Sequence, residues 1–226
     1  MRLEWVIFDL NGTLVDPSVL AQPLGDSAAA EELVAAAFGD AITAAMVAAL
    51  VGEHPPFPTL IAAALRRRVA LGGGDPGAVE DAIALLGSMP AFLEAPAALE
   101  RLRGEGLRLG VLTQSTTEAA DQVLRFAGLR DRLELVIGSD RFGTYKPDPR
   151  AYRALLEAAG AAADELCLVS AHWWDVAGAQ RAGLRTGWVG RSERLLLDTV
   201  PEPDAAGRDL AEVAERLLAI RGRSGE

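Results

Sequence analysis

Four short segments place polar side chains where apolar runs end. Phe8-Asp9-Leu10-Asn11-Gly12-Thr13-Leu14 puts a carboxylate at the exit of Trp5-Val6-Ile7-Phe8. Gly12 permits a tight turn, and free backbone N–H groups around it can form an anion-binding nest. A carboxylate held there can attack an electrophile and form a covalent intermediate; the plain alternative is an Asp turn closing a strand. Leu112-Thr113-Gln114-Ser115 ends another apolar run with three hydrogen-bonding side chains. They suit an oxyanion or a substrate carboxylate, or the capping of the next helix. Gly143-Thr144-Tyr145-Lys146-Pro147-Asp148-Pro149 carries the one lysine among 22 basic residues. Near Asp9, its compact ammonium would keep the carboxylate ionised and neutralise an anionic substrate. In Ser170-Ala171-His172-Trp173-Trp174-Asp175, the acid opens a helix, where the dipole favours it, and could act on a water. His172 is one of two histidines. It could hold or accept a proton, or be a hydrogen-bonded structural residue.

These segments need elements that bring them together. Trp5 to Phe8 reads as a buried strand. From about 17 to 89 the pattern turns alanine-rich and helical, with helices expected at 28–38, 42–51, 60–71 and 78–86. Gly39-Asp40, His54-Pro55-Pro56 and Gly72-Gly73-Gly74 separate them. After Pro90, strands expected at 107–112, 133–137, 166–169 and 186–189 alternate with helices, which means a parallel sheet covered on both faces. The expected fold is α/β: a doubly wound, Rossmann-like parallel sheet core with a helical cap inserted after the first strand. The core takes 1–15 plus 91–226 and the cap 16–90. Such sheets bind ligands at the carboxyl ends of their strands, so the four segments should converge on one crevice under the cap.

Composition narrows the function classes. The chain has 226 residues, half of them hydrophobic, so it can bury a sizeable core. A formal charge of −10 argues against nucleic acid and against an anionic membrane surface as partners. The single Cys167 excludes an internal disulfide and fits a reducing, cytoplasmic setting. The apolar run 41–51 is shorter than the roughly 20 residues of a membrane span. It is expected to lie between cap and core or in a dimer contact. Gly72-Gly73-Gly74-Asp75-Pro76-Gly77 satisfies G-x-G-x-x-G but follows a helical pattern, so it reads as a turn.

In order, and over nearly the whole chain, the four segments resemble the haloacid dehalogenase superfamily. Asp9 matches its nucleophile, Thr113 its second-motif Ser/Thr, Lys146 its third-motif lysine and Asp175 the last acid of its fourth motif. The phosphatases of that superfamily use D-x-D, whose second Asp protonates the leaving alkoxide; Asn11 stands there and cannot. Such acid catalysis is typically worth ~10²–10⁴ in rate. The first acid of their fourth motif aligns with Ala171, which undercuts the usual magnesium site. The 2-haloacid dehalogenases tolerate both changes, because halide leaves without a proton and no metal is required. Their fourth motif, similar to S-x-N-x-W-D, is matched here with His172 at the Asn position.

The resemblance implies that Asp9 displaces halide from C2 of a small anionic 2-haloacid. Water then hydrolyses the ester, activated by Asp175 with Lys146 and His172. Leu10, Asn11, Thr13, Thr113, Gln114 and Ser170 are the expected substrate contacts; no metal or other cofactor is expected, and a homodimer is implied. The departures lie in the halide cradle. Dehalogenases of this type bind halide with an arginine in the first cap helices, yet no Arg or Lys stands between Arg2 and Arg66. Gln114 replaces a halide-holding Asn, and His54 is the one candidate cation on the early cap. Arg66-Arg67-Arg68 reads as a solvated face. Two alternatives stay open: a phosphatase of small phosphorylated metabolites, and a non-catalytic binding protein.

Overall fold

The computed structural model describes residues 3–25 and 27–223. Strand β1 (Trp5–Phe8) pairs in parallel with β2 (Arg108–Leu112) on one side and β4 (Leu166–Ser170) on the other. Beyond them lie β3 (Leu135–Ile137), β5 (Arg185–Val189) and β6 (Ala205–Gly207), in the order β3-β2-β1-β4-β5-β6. Alternation along β1 feeds two layers. Val6 and Phe8 join the apolar cluster of α4 (Ala95–Gly104) and α8 (Leu210–Arg223). Trp5 and Ile7 join that of α6 (Pro149–Ala159) and α7 (Trp173–Arg181). Helix α5 (Thr117–Phe126) connects β2 to β3. This is the expected α/β fold. Strand order reverses between β1 and β4, the position at which open α/β sheets form their ligand crevice. Phe8 lies opposite both Val111 and Val169, so the chain leaves β1, β2 and β4 at nearly one level. Strand β6 was not anticipated; its Ala-Ala-Gly sequence has no apolar period, and it joins the sheet through backbone pairing with β5.

The helices between β1 and α4 differ from expectation. Residues 28–38 and 42–51 form one helix, α1 (Ala28–Val51), that runs through Gly39-Asp40. A mid-helix glycine costs only about 1 kcal/mol against alanine, and the alanine-rich flanks outweigh it. Asp40 is also held, by Arg68 at 2.7 Å and Arg67 at 3.1 Å, both on α2 (Phe57–Leu71). Arg66 pairs with Glu80 of α3 (Pro76–Ala84) at 2.8 Å. The arginine run is therefore exposed, as expected, but it ties three helices together. Gly72-Gly73-Gly74 forms the turn between α2 and α3, with Gly73 at φ +70°.

Ala30, Val34, Ala37, Ala41, Ala45 and Ala48 form the buried stripe of α1, while Val47, Leu50 and Val51 stay exposed. Neither expected fate of 41–51 describes it fully: one face is packed and the other open. At 24 residues α1 is long and apolar enough to cross a membrane by length and composition alone, which corrects the shorter run read from sequence. Cys167 is free and fully buried.

Candidate active site

Lys146 is the hub. Its side chain is fully buried, and its ammonium has three donors to place. Nζ donates to Asp9 Oδ1 at 2.9 Å, Asp175 Oδ2 at 2.6 Å and the Leu112 carbonyl at 2.9 Å. These partners come from the exits of β1, β4 and β2, so the sheet register assembles the cluster. The Gln114 side chain fixes the lysine backbone. It donates to the Lys146 carbonyl and accepts from the Lys146 N–H, each at 2.8 Å. Burial would lower the lysine, but Asp175 and Asp9 outweigh it and hold its pKa above the ordinary value.

The two carboxylates are treated differently. Burial would raise Asp9, yet the charges of Lys146 and His172 hold it below the usual carboxylate range. Its Oδ2 also accepts from Thr13 Oγ1 at 3.0 Å, and that oxygen in turn accepts from the Ala171 N–H at 3.0 Å. Burial pushes Asp175 up against the pull of Lys146, with the Asp9 charge adding to the push. Asp175 has no exposed surface, and its Oδ1 accepts from Tyr152 Oη at 2.8 Å. Gly178 makes room for that tyrosine, because a Cβ there would lie 2.2 Å from Tyr152 Oη.

His172 stands on the other side of Asp9. Its Nε2 lies 3.0 Å from the Asn11 carbonyl and 3.6 Å from Asp9 Oδ2. Its Nδ1 is 3.8 Å from Glu193 Oε1. The ring stacks on Trp174 with centroids 5.2 Å apart, and Gly12, at φ +79°, leaves space where a Cβ would sit 3.4 Å from the ring. Burial opposes the charged imidazolium, but the nearby Glu193 and Asp9 carboxylates raise its pKa above the usual histidine value.

Above Asp9 opens a cavity of about 610 Å³. Asp9, Asn11, Thr113, Gln114 and His172 line its core side, and Val34, Phe38, Ile42 and Met46 of α1 line its apolar wall. Arg191 also lines it. That guanidinium lies 3.6 Å over the Phe92 ring and donates from Nη2 to Glu94.

A family model for haloacid dehalogenase-like hydrolases matches residues 3–183. The chain belongs to that family. Among curated relatives, the (S)-2-haloacid dehalogenase of Pseudomonas sp. (strain YL) is 31% identical over 133 residues, 59% of this chain and 57% of that protein. Phosphoglycolate phosphatase of Rhodospirillum rubrum is 34% identical over 193 residues, 79% of this chain and 76% of that protein. The chain spans about half the length of the curated relatives it matches most strongly. A solved L-2-haloacid dehalogenase superposes with a TM-score of 0.88 at 27% identity, over 98% of this chain and 100% of that one.

Within this haloacid dehalogenase-like hydrolase, the expected residues separate into three groups. Asp9, Asn11, Thr113, Gln114 and His172 face the cavity. Lys146 and Asp175 form the buried support beneath it. Leu10, Thr13 and Ser170, expected as substrate contacts, do not line it. Leu10 is fully buried, Thr13 is spent on Asp9 and Ala171, and Ser170 Oγ accepts from the His172 N–H at 3.1 Å. Gln114 reaches the cavity, but its amide is committed to Lys146. His54 stacks on Tyr145 with centroids 4.7 Å apart and does not line the cavity.

The residues are a poor fit for a divalent ion. The Lys146 ammonium already lies between Asp9 and Asp175, bonded to an oxygen of each, and Ala171 offers no side-chain ligand. Among the described residues, no group of three or more His, Cys, Asp or Glu could hold one.

Sequence reasoning missed Tyr152, Arg191 and Glu193. Tyr152 carries no local signal. Arg191 and Glu193 follow β5, and the strand-exit rule that found Asp9 would have found them too.

Proposed function

We propose that this hydrolase removes halide from a small 2-haloacid through an ester on Asp9, without a metal ion. The observation that carries this reading is the Asp9 carboxylate itself. It is ionised by Lys146, lies at the cavity floor and has the amide of Asn11 at the position where an acid would serve an alkoxide leaving group. An Asp9 oxygen attacks C2, the carbon–halogen bond breaks, and halide leaves with the electron pair and needs no proton. Addition of water at the ester carbonyl carbon returns the carboxylate and releases a 2-hydroxy acid. Thr113 accepts from the Ser115 N–H at 3.2 Å, which leaves its own hydrogen for a substrate anion. Arg191 supplies the cavity with the arginine that α1 lacks, from the core side. We assign 16–90 the role of a cap over the core formed by 1–15 and 91–226; the α1 wall of the cavity supports this. Halide release from chloro-, bromo- and fluoro-substituted 2-acids in excess EDTA tests the reading, and no release from any of them refutes it.

A second reading draws on His172. An imidazolium 3.6 Å from Asp9 could protonate an alkoxide, which would serve a phosphatase. The donor set argues against it, because a transferring phosphoryl group needs more positive charge than this cluster leaves free. Magnesium-dependent phosphate release with no halide release would favour this second reading.

A further inference from the structure

The apolar wall of the cavity exceeds what a propionate-sized acid can cover. Helix α1 presents two rows to it, each stepping by four residues, the spacing that keeps side chains on one helix face. Val34, Phe38, Ile42 and Met46 form a bulky row; Ala35, Gly39 and Thr43 form a small one beside it. The bulky row runs about 18 Å from Val34 to Met46 at the helical rise per residue. The stripe that packs α1 down is nearly all alanine, while Phe38, Ile42 and Met46 stand half-buried on the cavity side.

Gly39 sits in the middle of the small row. A mid-helix glycine costs helix stability against alanine. Close packing does not require it, because a Cβ there would meet nothing within 4 Å. What it provides is room: Ala35 and Gly39 leave a trough alongside Phe38 and Ile42. The polar groups gather on the core side, where an acid head must sit for Asp9 to reach C2. At about 30 Å³ for each water, 610 Å³ holds about 20, several times what a propionate-sized acid displaces. Asp16, Glu31 and Glu193 also stand on the lining, against the guanidinium of Arg191, so a second anionic group on the substrate meets net repulsion.

We propose that the substrate is a 2-haloalkanoate whose unbranched, uncharged tail of about four to eight carbons beyond C2 lies along the trough of α1, with Gly39 setting the room for it. This rests on the dehalogenase reading. The head keeps its place at Asp9, and the tail follows the helix away from it. Each methylene laid against Phe38, Ile42 and Met46 leaves water in the ground state and the transition state alike. The tail therefore lowers KM and leaves kcat nearly unchanged.

Steady-state halide release from 2-bromobutanoate, 2-bromohexanoate, 2-bromooctanoate and 2-bromodecanoate reads the tail. The value of kcat/KM is expected to rise about two- to fourfold per methylene as far as the octanoate, with the gain carried by KM. Gly39→Leu removes a helix-weakening residue and puts a side chain in the trough. It is expected to flatten the slope of kcat/KM against chain length without lowering the denaturation midpoint. Met46→Gln is expected to reduce the same slope by making the wall polar. A flat or falling series in the wild type, or a slope unchanged in both variants, overturns the tail site.

Calorimetry with unhalogenated butanoate, hexanoate and octanoate is the arm independent of turnover. Affinity is expected to rise by the same factor per methylene in the wild type and to lose that rise in Gly39→Leu. Halide release from 2-bromobutanoate with no gain from chain length in either arm overturns the tail site and leaves dehalogenation standing. Length-dependent alkanoate binding with no halide release from any acid refutes instead the dehalogenase reading.

Discussion

Replacing Lys146 by methionine keeps the volume and removes the charge. The loss falls on two carboxylates at once, since Nζ serves Asp9 at 2.9 Å and Asp175 at 2.6 Å with no water-exposed surface on the lysine. Deleting one member of a buried ion pair costs about 3–5 kcal/mol, chiefly because the remaining charge is left uncompensated. At neutral pH the urea midpoint should therefore fall by about 1–2.5 M for a dependence of roughly 2–3 kcal/mol/M, the upper end of the range, as suits a chain of this length.

The pH dependence follows from the signs. In the wild type, Asp9 lies below its reference of 3.8, so its contribution is present above that value and is lost as pH falls through the folded pKa. Without the ammonium, burial and mutual repulsion move Asp9 above 3.8 and push Asp175, already above it, higher still, so the folded mutant binds protons that the unfolded chain does not. Its stability then rises as pH falls toward that reference, and the gap to wild type narrows. Urea unfolding of both proteins at neutral pH and near pH 5 measures this. A gap under about 1 kcal/mol at neutral pH, far short of a broken buried pair, would refute the reasoning. So would a gap that does not change with pH.

Gly178→Ala should lose about 1–3 kcal/mol by overpacking, since its Cβ would meet Tyr152 Oη and free Asp175 from its partner; denaturant unfolding reads this. Asn11→Asp adds a like charge beside Asp9, so the acidic limb of halide release should move to higher pH, with no magnesium-dependent phosphate release gained, because Ala171 still offers no donor. Ile42→Trp fills part of the 610 Å³ cavity and should raise KM for longer 2-haloacids more than for 2-chloropropionate, measured by steady-state halide release.

Residues with a compositional signature were readable without coordinates. Lys146 stands out because every other basic residue is arginine, and Asp9 because it follows a strand; the parallel sheet covered on both faces follows from the alternation of strands and helices. What was not readable depends on partners distant in the chain. Nothing local announces that Tyr152 will cap Asp175 or that Glu193 will face His172, since the first pairing is made by packing of α6 on α7 and the second by the pairing of β4 with β5. The unbroken α1 was missed because a glycine signal was weighed locally, while the helix is held by alanine-rich flanks and by arginines about 28 residues away on α2. Leu10, Thr13 and Ser170 look like substrate contacts in sequence because they flank the right residues; in space Leu10 is core, and the hydroxyls of Thr13 and Ser170 hold Asp9, Ala171 and His172 in place.

The most direct measurement is a single turnover in H₂¹⁸O with enzyme in excess over a 2-haloacid. If Asp9 carries the ester and water attacks its carbonyl carbon, the label enters the peptide containing Asp9, and the 2-hydroxy acid made in that turnover carries unlabelled oxygen. Label found in the hydroxy acid, with the Asp9 peptide unchanged, would mean that water attacks the substrate directly and would contradict the account.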